Sequence, residues 1–175
     1  MENNSTVLVY ISNFIIASPI HNGDWVNINE EIGKAVDINW RSVKIHNRFN
    51  EERIIPNNTL AKSKIKNLSR PHKIYAEILQ FGFSYDDTPE KVKKVLLEIA
   101  DKNDKVLDIL PPIVYMLSYD DFYISYGLKF FVKDFEDTLL IKDELLSRVY
   151  HAANENGLIM PYPKQDIELN MKFSK

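Results

Sequence analysis

Residues 33–69 alternate apolar and polar side chains through several short segments and then halt at Pro56-Asn57. Val36, Ile38 and Trp40 fall on one side of that alternation. Val43 and Ile45 restart it after Arg41-Ser42, and Ile54 and Ile55 run into the proline. A period of two over short runs is the pattern of half-buried strands in a small, strongly bent sheet. Proline has no donor for a strand ladder, so Pro56 is expected at a strand end or edge.

At 175 residues the chain has room for one large or two small domains with a real core. Apolar residues make up 45% and charged residues 27%, as in an ordinary globular protein. The net charge of −3 argues against a chain whose main task is gripping phosphates. With no cysteine, disulfides, thiolate catalysis and cysteine-bound metal are excluded.

The stretch Val7 to Ile20 is mostly apolar, interrupted by Ser12, Asn13 and Ser18. A spanning helix needs about 20 apolar residues, so this piece does not cross a bilayer alone. Two readings stand for it: a packed first element, or the tail of a membrane helix. The polypeptide as given is expected to be soluble.

Asn22-Gly23-Asp24 reads as a turn, followed by a short strand over Trp25, Val26 and Ile28 and a second turn at Glu30-Glu31. Asn47 to Glu52 reads as a polar hairpin loop, and a last strand runs near Lys64 to Leu68. Closely spaced short strands suggest a compact β-barrel or sandwich. The pattern changes at Ser69-Arg70-Pro71. A longer strand follows, with Ile74, Ala76, Ile78 and Phe81 or Phe83 expected inside. Thr88-Pro89-Glu90 is a helix start, with threonine as cap and proline in the first turn. Val92, Val95, Leu96 and Ile99 form one face of that helix.

Strands are expected at Ile113 to Leu117 and Phe122 to Val132. A second helix covers about Thr138 to Asn156, with Ile141, Leu145, Val149 and Ala152 inward and Gly157 as a left-handed cap. The order is a split βαβ layout with helices on one face. Pro161 and Pro163 hold the link to a last strand, Gln165 to Leu169, extended, so that strand is free to leave its own domain.

Catalytic chemistry is not legible. His21, His46, His72 and His151 lie far apart and form no zinc motif. The acid pairs Glu30-Glu31, Glu51-Glu52, Asp86-Asp87 and Asp120-Asp121 fall in turns or helix approaches, where local backbone accounts for them. No glycine pattern cradles a phosphate, and no cofactor or metal is expected. The one basic cluster, Lys62, Lys64 and Lys66 with Arg70 and Lys73, would place its first three lysines on one strand face opposite Ile65. A solvated edge, an anion surface or an RNA surface all fit that row.

Taken together, the run from Gly33 to Pro71 resembles the cytoplasmic β-domain of the small-conductance mechanosensitive channel (MscS) family. Gly33, Val36 and Ile38, Ser42, the Asn47 to Glu52 hairpin, Pro56-Asn57, and Asn67 with Ser69 and Pro71 carry the likeness. Pro19, Gly23, Asp24 and Val26 resemble that family's lead from pore helix to barrel. Gly157, Ile159, Pro161, Tyr162, Pro163 and Asp166 resemble its tail. Ile20 and His21 replace the family's usual aromatic and basic residues, and residues 1–18 lack its small-residue stripe, so no pore-lining residue carries over.

The resemblance implies an α+β fold. A small Sm-like/SH3-like five-stranded β-barrel (19–70) would precede a ferredoxin-like α/β domain (71–160) and a C-terminal strand (161–175), with 1–18 an apolar N-terminal segment. It further implies a homoheptameric cage on the cytoplasmic side of a cell membrane, attached through helices outside this chain. Permeating ions and small osmolytes, rather than nucleic acid or an enzyme substrate, would be its partners. A ring-forming small-barrel RNA-binding module using Lys62, Lys64 and Lys66 is the competing reading.

Overall fold

The computed structural model describes residues 19–163. The N-terminal apolar segment, the strand expected at Gln165 to Leu169 and Asp166 lie outside the described residues. Two compact units divide the chain: one holds the described residues up to Tyr75 together with Val132–Thr138, the other Ala76–Phe131 and the described residues from Leu139 onward.

The first unit is a five-stranded antiparallel sheet of β1 (Trp25–Ile28), β2 (Glu31–Ile38), β3 (Ser42–His46), β4 (Glu52–Pro56) and β5 (Ile65–Asn67) in the order β4-β3-β2-β1-β5. One turn of helix, α1 (Asn57–Leu60), separates β4 from β5. Ile20, Val26, Ile28, Ala35, Val43, Ile45 and Leu60 form its core. Full burial of side chains of this size stabilises by about 1.5–3 kcal/mol each.

Pro56 is the last residue of the edge strand β4, where its missing donor costs no ladder bond. The alternation expected for β2 is corrected. Ala35 pairs with Ile45 but Asp37 pairs with Lys44, so Val36 is an extra residue in a bulge. A bulge shifts the inward set by one. Gly33 and Ala35 therefore face in, Val36 is partly exposed, Ile38 packs on the core, and Trp40 lies beyond the strand with 62% of its surface open. Ile54 is exposed for the edge position it occupies.

The second unit's sheet is β6 (Tyr75–Phe83), β7 (Ile113–Tyr119) and β8 (Ile124–Val132), in the order β6-β8-β7 with β7 and β8 antiparallel. Helices α2 (Pro89–Asp101) and α3 (Thr138–Glu155) follow β6 and β8. Strand β8 thus lies between two strands joined through α2, which is the split layout. Val92, Val95, Leu96 and Ile99 are buried along α2, and Ile141, Leu145 and Val149 along α3.

Three expectations change here. The inward residues of β6 are Leu79 and Phe83, with Ile74, Ala76 and Ile78 exposed, because Phe83 and Ile78 differ in parity and a strand buries one parity. The last inward position of α3 is Ala153, four residues after Val149, with Ala152 only partly covered. Thr88 stands at the N-cap of α2 in extended backbone but makes no side-chain cap bond.

Gly157 has φ +63° and closes α3. Its N–H donates to Asn154 O (3.2 Å), and Leu158 N–H donates to Ala153 O (2.8 Å). That pair of bonds is a Schellman cap, which needs a residue at positive φ.

Candidate functional site

Residues that the sequence singles out at the two ends of the β-unit meet in one buried knot. Asp24, only 4% exposed, accepts from His21 N–H (3.0 Å), Asn67 Nδ2 (2.9 Å) and Arg70 Nε (3.3 Å). Asn67 Nδ2 also donates to Pro19 O at 2.7 Å, and its Oδ1 accepts from Ser69 N–H at 3.0 Å. Buried Ser69 in turn accepts from Trp25 N–H through Oγ at 3.0 Å. The backbone of Gly23 and Asp24 locks onto β2 through Gly23 N–H to Ala35 O (2.7 Å) and Ala35 N–H to Asp24 O (2.8 Å), with Gly23 at φ +89°.

Burial by itself would raise the Asp24 pKa. The hydrogen bonds from Asn67, the His21 backbone and Arg70 outweigh it and hold the carboxyl below its ordinary value. Lead-in and exit segments separated by about forty residues are thereby pinned to one carboxylate.

Pro56-Asn57 organises a second feature, the β2–β3 turn. Asn57 is 6% exposed; its N–H donates to Arg41 O (2.9 Å) and its Nδ2 to Asn39 O (3.1 Å). Asn39 Oδ1 accepts from the N–H groups of Arg41 and Ser42 at 3.0 Å each. The asparagine after the proline therefore fixes the turn that presents Trp40 and Arg41, whose guanidinium lies 4.2 Å from the Trp40 ring centroid. Gly33 serves packing. A Cβ there would meet His46 O at 3.0 Å and Ile45 Cβ at 3.1 Å, so β2 and β3 approach closely only without a side chain.

The lysines are not brought together as a row. Only Lys66 lies in β5; Lys64 precedes it and Lys62 sits in the turn after α1. Lys64 and Lys66 border an open cleft of about 340 Å³ with Asn27, Asn29 and Glu30, while Lys62 does not. Exposure alternates from Lys62 to Lys66, with Ser63 and Ile65 half-buried, but the strand itself is three residues long and holds only Lys66.

Sequence reasoning missed the strap formed by residues 132–138 of the first unit. Phe135 packs at a tilt against Trp25 (5.3 Å between centroids, 57° between planes) and edge-on to Tyr75 (4.9 Å). Arg48, at the β3–β4 hairpin tip, donates to Phe135 O (2.7 Å) and Thr138 Oγ1 (2.8 Å) with its guanidinium 4.6 Å from the Phe135 centroid. Lys34 pairs with Glu136 at 2.7 Å; this hydrogen bond is the main cause of the lowered Glu136 pKa. An arginine in a polar hairpin and a lone phenylalanine about ninety residues later give no local signal of each other.

At the other end of the chain, Ser84 N–H donates to Ile159 O (2.9 Å) and Ile159 N–H to Asp87 Oδ2 (2.8 Å). These two bonds aim Pro161, Tyr162 and Pro163, and Tyr162 is 84% exposed. Among the described residues no three His, Asp or Glu side chains gather as a metal site, and no helix is long and apolar enough to cross a membrane.

Comparison with known proteins matches both units. The family description "Mechanosensitive ion channel, beta-domain" matches residues 10–70, and "Mechanosensitive ion channel MscS, C-terminal" matches residues 77–160. The Mechanosensitive channel MscK of Escherichia coli is 25% identical over 92% of this chain and 15% of its own length. The Small-conductance mechanosensitive channel of Helicobacter pylori is 22% identical over 91% of this chain and 58% of its own.

The crystal structure of Helicobacter pylori MscS in the closed state superposes with a TM-score of 0.84 at 21% identity, covering 96% of this chain and 66% of that one. Arabidopsis thaliana MSL1 gives a TM-score of 0.69 at 16% identity, over 89% of this chain and 57% of that chain. Four of the matching curated relatives are longer proteins, of which the chain spans between 13% and 58%.

Proposed function

The chain belongs to the MscS family of mechanosensitive ion channels, and on that premise we propose that it is the cytoplasmic cage portion of such a channel, releasing solutes on hypo-osmotic shock. The single observation behind this reading is that both units, in one order and over 96% of the chain, superpose on a mechanosensitive channel. Its role is assembly and filtering, with no catalysis. The β-unit corresponds to a small Sm-like barrel (19–70), the second unit to a ferredoxin-like domain (71–160), and residues beyond Pro161 to a strand shared between copies.

In this reading the chain is a homo-oligomer, a heptamer, on the cytoplasmic side of an inner membrane. The Asp24 knot fits its place at the top of the cage. A segment leading down from the membrane needs a rigid seat on the β-unit, and Pro19 O and His21 N–H are held there by Asn67 and Asp24. Gly157 and the Pro161–Pro163 segment give the chain a fixed direction as it leaves the α/β unit. Lys64 and Lys66 offer a positive rim for permeating anions, acting over about 8–10 Å at physiological salt. The RNA-binding alternative is the weaker reading, since Lys62 lies outside the Lys64–Lys66 cleft and the residues bordering that cleft include no aromatic side chain.

A chimera tests the proposal: the chain replaces the corresponding C-terminal part of the Helicobacter pylori channel in bacteria without mechanosensitive channels. Stretch-activated current and survival of osmotic down-shock are expected. A chimera that reaches the membrane, assembles and never conducts would contradict it.

A further inference from the structure

Among the described residues, the sheet of the second unit buries one side, with Leu128 and Phe130 fully covered, far more than the other. Gly127, in the middle of β8, marks the other side: a Cβ there would meet the side chains of Leu117 and Ile78 at 3.1–3.3 Å. Ile78, Leu117, Ile113 and Tyr115 are each 40–47% exposed, so among the described residues this part of the face has no apolar cover, while Tyr123 and Pro161 lie by Gly82 and Ser125 at its other end. Two residues along β8, Lys129 shares the face, with its ammonium 5.1 Å from the Phe131 ring centroid and no carboxylate paired to it among the described residues.

Helix α3 carries a second uncovered surface. Leu139, Leu146 and Tyr150 are 45–60% exposed, where a helix with one buried face would be polar. At 100° per residue, Leu139, Asp143, Leu146 and Tyr150 fall on one line, roughly a third of a turn from the face that carries Ile141, Leu145 and Val149. Asp143 is exposed in that line and has no cation paired to it among the described residues.

We propose that the open face of the β6-β8-β7 sheet receives the Leu139–Tyr150 line of α3 from a second copy of this chain, with Asp143 of that copy meeting Lys129. A sheet face with an apolar layer is completed by a helix layer, and this chain carries an unpartnered apolar helix face of its own. Charge decides the pairing. Sheet against sheet would bring two Lys129 ammoniums onto one apolar patch, and helix against helix two Asp143 carboxylates; only sheet against helix pairs opposite signs. Such a contact is head-to-tail, so it repeats from copy to copy and closes into a ring if the rotation allows. The inference rests on the homo-oligomer reading above and adds which surfaces meet.

The absence of native cysteine makes the test clean. Leu117→Cys and Leu146→Cys are prepared as separate chains, checked for unchanged thermal unfolding, mixed, oxidised mildly and run without reductant, with sedimentation in parallel. A cross-linked dimer is expected in the mixture and not in either variant alone. Adding Lys129→Glu or Asp143→Lys to both chains should cut the yield about tenfold, and adding both should restore it.

Homodimers of either single variant at equal yield would overturn the proposal in favour of a symmetric contact. Oligomers by sedimentation with no cross-link would overturn it while leaving the homo-oligomer reading intact. A monomer throughout would overturn both.

Discussion

In the β-unit, segments far apart in sequence are held by polar groups: buried Asp24 gathers His21, Asn67 and Arg70, buried Asn57 holds the Asn39–Ser42 turn, and exposed Arg48 grips the strap at Phe135 and Thr138. In the α/β unit the same task falls to one apolar layer between sheet and helices, and among the described residues Ile78, Ile113, Tyr115 and Leu117 stay open on the opposite side of the sheet. The first arrangement fixes where chain segments enter and leave; the second leaves open surface. The cage proposed above would need both, and each can be broken separately.

The largest expected effect separates the two sides of the second sheet. Leu128, fully buried, should cost about 2–5 kcal/mol when replaced by alanine. Leu117→Ala on the open face should stay within about 0.5 kcal/mol in dilute solution. Denaturant titration of both variants checks this, and equal losses would mean that the open face is covered within the chain.

A pair of glycines comes next. Gly33→Ala presses a methyl against the His46 carbonyl and should lose about 1–3 kcal/mol. Gly127→Ala meets side-chain methyls, the Leu117 Cδ atoms and Ile78 Cγ2, and no backbone, and should lose less than half as much. A reversed order would show that β2 and β3 separate easily.

Asp24 sharpens the comparison through pH. Its folded pKa lies below the ordinary value of 3.8, so its contribution is complete above the unfolded aspartate range and disappears as pH falls through the folded value. Asp24→Asn should therefore be less stable than the parent at neutral pH, by about 1.5–3 kcal/mol, and the gap should close in acid. Thermal melts from pH 7 down to pH 3 read this directly; a pH-independent gap would mean that the carboxylate charge is not used.

The smallest effects belong to the strap. Arg48→Ala removes two hydrogen bonds and should destabilise the unit by about 1–2 kcal/mol, with faster amide exchange over residues 132–138. Lys34→Ala breaks an ion pair whose side chains are both more than a third exposed and should cost less than about 1 kcal/mol.

Much of this fold was legible because it depends on local rules. Period-two runs placed β1 and β3, and the stop at Pro56 placed β4. Pro89 and the Val92–Ile99 spacing placed α2, and Gly157 marked the end of α3. The misreadings arose where apolar residues stand on both faces. In β6, Ile78 and Leu79 are equally plausible inward residues until the helices choose a side, and in β2 the bulge at Val36 leaves no composition signal. The motif residues Gly23, Asp24, Asn67 and Asn57 stood out in the sequence, but their hydrogen bonds did not, since partners 43 positions apart (Asp24 and Asn67) or 18 apart (Asn39 and Asn57) are joined only by the sheet. The strap could not be read at all: its contacts connect a hairpin tip to a link between β8 and α3.

Whether copies of this chain build the proposed cage is measured by sedimentation equilibrium or native mass spectrometry across a range up to hundreds of micromolar. Self-association converging on a species seven times the 20.4 kDa protomer is expected. A single species of protomer mass at every concentration would contradict it.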